Sequence, residues 1–73
     1  MTLQEMDRLN TELYQLNYER KTAVEILQSQ ESFLRGDLSE DARRATEAVI
    51  ATCREQIAMA DYKIQQIRQL LGQ

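Results

Sequence analysis

The sequence predicts an all-α protein, an antiparallel two-helix hairpin with long coiled-coil-like arms that assembles into a helical bundle by self-association. Three observations predict it. Proline is absent, the only glycines are Gly36 and Gly72, and Gln, Glu, Ala, Leu and Arg are plentiful, a composition of long helices. Apolar residues recur at steps of three and four on both sides of the midpoint. Between those runs, Leu34-Arg35-Gly36-Asp37-Leu38-Ser39-Glu40-Asp41 carries a helix stop followed by a helix start. The expected organisation is a single domain over 1–73, with a helix over about 3–35, a turn at 36–38 and a second helix over about 39–71.

The first helix opens on Thr2-Leu3-Gln4-Glu5, the S/T-x-x-E spacing of a capping box. Met6, Leu9, Leu13, Leu16, Val24, Leu27 and Leu34 then mark one face, with Ala23 at its margin. Arg20 and Glu31 fall inside that face and Asn17 on its shoulder, so the stripe is apolar at its ends and interrupted between them. At the turn, Gly36 can adopt the left-handed conformation that ends a helix, and Arg35 complements the helix's negative end. Either Asp37, with Glu40 at the capping-box offset, or Ser39, followed by two acids, can cap the next helix.

The second helix carries a cleaner stripe: Leu38, Ala42, Ala45, Val49, Cys53, Ile57, Ala60, Ile64, Ile67 and Leu71, with no charge among them. Positions 38, 49, 60 and 71 are eleven apart, a repeat that predicts a nearly straight helix. Met59, Thr52, Ala48 and Leu70 widen the stripe on one side and Ile50 on the other, beyond what one partner helix covers. A tight turn at Gly36–Asp37 sets Met6 against Ile67, Leu9 against Ile64, Leu13 against Ala60, Leu16 against Ile57 and Val24 against Val49. It leaves Arg20 level with Cys53 and Glu31 level with Ala42. Two such helices, each about 50 Å long, bury only a seam. The surplus apolar surface predicts a dimer or higher oligomer through Val49, Ile50, Cys53, Ile57, Met59, Ile64, Ile67 and Leu70.

The chemistry on offer is sparse. The sequence has no histidine, no Gly-rich phosphate loop and no metal-spaced cluster, so neither an enzyme nor a bound cofactor is expected. Cys53 is single, sits mid-helix on the apolar face and reads as a buried thiol in a reducing compartment. A net charge of −3 with both signs interspersed argues against direct nucleic-acid binding. With no apolar run long enough for a signal peptide or a membrane span, the expected location is cytoplasmic. Arg35-Gly36-Asp37 spells an adhesion tripeptide but reads as helix-stop chemistry.

Arg20 is the residue with competing explanations. Its stem can lie along the seam with the head in water, or it can pair with Glu55 or Glu31 and fix register. Alternatively it holds a small anionic ligand such as a nucleotide signal, with Tyr14, Tyr18 and Lys21 supplying rings and a second cation. Tyrosines one turn apart are equally ordinary interface residues.

The run from Gly36 to Ala42, with Cys53 and Ala60-Asp61-Tyr62-Lys63-Ile64-Gln65, resembles the small subunit of exonuclease VII, which has a Gly-Asp-Leu turn between two helices. The resemblance covers the turn and parts of the second helix. The family's proline after the turn, its Phe-x-x-Gly region and its first-helix pattern are missing, so no functional residue is carried over. In size and style the chain is similar to small phage-encoded hairpins that block host defence. The expected function is a non-enzymatic interaction protein (an accessory subunit, inhibitor or assembly factor) that binds another protein through the helix faces of a homo-oligomeric bundle. The alternative is an oligomer that sequesters a nucleotide-like ligand.

Overall fold

The computed structural model describes residues 1–72 and is all-helical, with no strand among them. Helix α1 runs over Leu3–Leu34 and helix α2 over Glu40–Leu70, and the two pack along each other. The molecule is a rod of 55 × 15 × 14 Å. Both helix starts are capped by side chains. Thr2 Oγ1 accepts from the Glu5 N–H at 3.1 Å, and Ser39 Oγ accepts from the Ala42 N–H at 3.2 Å. Each cap satisfies one of the donors that a first turn leaves unpaired. Ser39 is therefore the cap of α2, and Asp37 is outside the helix.

The stop at the end of α1 differs from the expectation. Gly36 does not take a positive φ; among the described residues only Gly72 does, at 78°. Instead the last turn of α1 tightens, with the Arg35 N–H donating to Ser32 O at 3.3 Å and the Gly36 N–H to Phe33 O at 3.1 Å. Such i→i+3 bonds close the orphan carbonyls without a left-handed residue. The left-handed stop lies at the other end, where Gly72 follows α2 and donates to Gln69 O.

Apart from the half-buried Val24, Glu31 and Ala42, and with Arg43 continuing the series ahead of Thr46, the covered residues of the two helices obey one rule. On α1 they are Leu9, Leu13, Leu16, Arg20, Ala23, Leu27, Gln30 and Leu34, alternating steps of four and three. On α2 they are Thr46, Ile50, Cys53, Ile57, Ala60, Ile64, Ile67 and Leu71, in the same alternation. That seven-residue repeat on two antiparallel helices is the pattern of a left-handed coiled-coil seam. It corrects the straight eleven-residue stripe expected for α2. In the first half of that helix the seam passes through Thr46 and Ile50, leaving Ala45 and Val49 exposed. Thr46, a polar residue at a buried position, donates its hydroxyl to Ala42 O at 2.8 Å and so keeps its bond.

The register is also corrected. Leu16 shares a cleft wall with Ile67, Ala23 with Ala60, and Leu34 with Ile50. Arg20 is level with Asp61 and not with Cys53, a displacement of about two helical turns, or roughly 12 Å. The cause is the linker over residues 35–39. It ends in the extended backbone of Ser39 (φ −63°, ψ 161°), with Leu38 half-buried, and so carries the start of α2 past the end of α1. A rod longer than the roughly 48 Å of a 32-residue helix is what such a stagger requires. Methyl cross-relaxation in solution should therefore connect Leu16 with Ile67 and Leu34 with Ile50. Cross-peaks joining Leu16 to Ile57 would restore the tight-turn register.

Candidate functional site

The stagger decides what the two long flanks of the rod contain. On one, Arg20 Nε donates to Asp61 Oδ1 at 2.5 Å, and its Nη2 to Oδ2 at 3.5 Å. Two to three turns further toward the linker, Arg54 and Glu31 approach to 3.9 Å. These two ion pairs latch α1 to α2 along a polar flank. Arg20 thus occupies a seam position with its head swung outward to a carboxylate, the register-fixing role with Asp61 as partner in place of Glu55 or Glu31. The hydrogen bond that Arg20 donates to Asp61, and then the carboxylate's charge, raises the guanidinium above its usual value. A raised cationic pKa adds stability that is fully present below the unfolded value and is lost only as pH climbs through the folded one. The arginine side of this pair therefore brings no pH dependence near neutrality.

The other flank is apolar. Asp61 is two residues from both Met59 and Lys63, about 200° around the helix from each, so these point away from the latch. Here Leu16, Ala23, Ile26, Met59 and Ala60 line a cleft of about 390 Å³, with Glu19 and Lys63 on its rims. Its depth has a simple origin. Ala23 and Ala60 are the seam residues at that level, and two methyl groups leave a hollow where the seam next to them has Leu27, Ile57 and Ile64. The cleft continues along the rod past Glu12, Gln15 and Gln66, and sideways past Ala58 and Tyr62. The Gln66 amide donates to the Tyr62 hydroxyl at 2.9 Å, holding that ring on the rim.

The expected interface residues divide between the seam and the surface. Ile50, Cys53, Ile64 and Ile67 are buried under α1 within one chain and Ile57 is half-buried, whereas Val49, Met59 and Leu70 stay exposed. The expected ligand quartet does not converge. Tyr14 and Lys21 lie on the outer side of α1 and are exposed, whereas Tyr18, also exposed, reaches the cleft wall. Arg20 faces the seam and is engaged with Asp61. Ile26 on the cleft wall was not singled out by sequence reasoning; it lies outside the apolar stripe of α1, and only the position of Ala60 opposite Ala23 makes it part of a site.

Ion pairs between partly exposed side chains contribute little on average, so the latch acts mainly on register. Asp61→Lys should lower the melting temperature, and adding Arg20→Glu should recover most of the loss. A double-mutant cycle showing no coupling would reduce the pair to an idle surface contact.

No helix among the described residues is long and apolar enough to cross a membrane. No family model matches the chain, and no curated protein or solved structure is significantly similar to it, so the likeness of the turn to the exonuclease VII small subunit carries no argument.

Proposed function

We propose that this chain is a non-enzymatic interaction protein, a small accessory subunit, inhibitor or assembly factor, that works through the helix faces of a self-associated bundle. The observation that supports this most is the contrast between the two flanks. One is latched by Arg20–Asp61 and Glu31–Arg54, and the other exposes Ile26, Met59 and Tyr62 around an open cleft. A solvent-facing apolar groove between two rigid helices is a surface on which further helices pack, with anchors at every third or fourth position, and the helix faces left over after self-association would receive the partner. The cytoplasm is the compartment this reading assumes.

The competing reading, a sequestering oligomer for a nucleotide-like anion, retains Tyr18 on the cleft wall but loses Arg20 to the opposite flank. Capture from a lysate of the source organism separates the two. The native chain and a polar-flank variant, Gln65→Glu, should retain the same partner protein, and Met59→Glu should lose it. Thermal melting against linear and cyclic nucleotides should show no shift. A rise of several degrees with one nucleotide, abolished by Arg20→Ala, would replace the first reading with the second.

A further inference from the structure

The apolar flank has a charge pattern that the seam does not use. Among the described residues, the charged side chains lining its three clefts are Glu12 and Glu19 on the α1 rim and Lys63 on the α2 rim. Glu19 and Lys63 stand at the same level of the rod but are not joined to each other by an ion pair. Both ion pairs that cross between the helices lie on the other flank. The apolar flank is therefore acidic along one edge and basic at the middle of the other.

The chain also carries more surface than a molecule of its mass keeps. It exposes 5705 Å², whereas a folded monomer of 8.5 kDa exposes about 4,650 Å². The surplus, on the order of 1,000 Å², is close to the roughly 800 Å² that each partner loses in a standard interface. No large side chain among the described residues is fully buried, so one chain by itself has a seam but no closed core.

We infer that the apolar flank seats a second copy of this chain, with the two-fold axis running along the rods. This rests on the bundle reading above and specifies its geometry. A two-fold axis parallel to the helices lays each α1 over the partner's α2 at the same level. Glu19 then faces the partner's Lys63 while standing beside its own, and each glutamate lies between two lysines. Ile26 of one copy meets the partner's Met59 over the Ala23–Ala60 hollow, which takes up the larger side chains. An axis crossing the rods would instead put α1 on α1 and α2 on α2. The acidic edges would then share one side and the two Lys63 ammonium groups the other, without compensation.

Sedimentation equilibrium combined with cysteine cross-linking tests this. The native chain should sediment as a dimer, and Met59→Glu should weaken association at least tenfold while helicity persists. In a Cys53→Ala background, an equimolar mixture of Ile26→Cys and Met59→Cys chains should form mainly mixed disulfide dimers. Thr22→Cys paired with Met59→Cys, which leaves Ile26 in place and lies at nearly the same level of the cleft, provides the same comparison if the first variant folds poorly. Mainly Met59–Met59 cross-links, or a dimer that tolerates Met59→Glu, would overturn the inference yet leave the bundle reading standing. A monomer at millimolar concentration would overturn both.

Discussion

Two helices in contact can hide only one line of side chains each, and everything else in this molecule follows from that limit. The seam from Leu9 to Leu34 and from Thr46 to Leu71 takes most of the covered positions, with Val24, Glu31, Ala42 and Arg43 half-buried besides. Even so, half of its buried residues are small (Ala23, Thr46, Cys53 and Ala60), beside Leu9, Ile50, Ile64 and Ile67. Leu13, Leu16, Leu27 and Leu34 remain half in water, because a second helix shields one side of a leucine and nothing shields the rest. For a chain of this size, burial of that kind leaves stability marginal before any function is asked of it.

Specificity along such a seam has to come from somewhere other than apolar matching. A heptad seam of Leu and Ile can slip by one repeat and still match. Three features oppose slippage here. Arg20 reaches Asp61 and Glu31 reaches Arg54 only in the observed register. Ala23 and Ala60 meet in one layer, so that a shift of seven residues would set each against a larger neighbour or leave a hole. The linker sets the offset mechanically, with Leu38 half-buried and Ser39 capping α2. The same alanine layer that marks the register also opens the cleft, so the cleft is a by-product of how the hairpin fixes its own alignment.

Much of the fold was legible in the residues. Thr2 and Ser39 announce helix starts by chemistry that acts over three residues, and both caps form as that chemistry requires. The absence of proline and the three–four spacing define two helices and nothing else. The register was not legible, because it depends on how far an irregular linker extends, and a glycine in the linker suggested a tighter stop than the i→i+3 bonds at Phe33 provide. The seam through Thr46 and Ile50 was missed for a related reason. A stripe drawn on one helix at about 100° per residue drifts, whereas two helices wound on each other keep the seven-residue repeat. The partner of Arg20 followed from the register, so it could not be named until the stagger was known. The cleft is invisible from either helix alone, since Ile26 and Met59 belong to it only when Ala23 faces Ala60.

The proposed dimer supplies the cover that one hairpin leaves off its own seam. Its most direct test is thermal unfolding of the native chain across a hundredfold range of concentration. If folding and association are linked, the melting temperature must rise steadily with concentration by mass action. A midpoint that stays constant across that range, in a chain that remains fully helical, would show a self-sufficient hairpin and contradict the account.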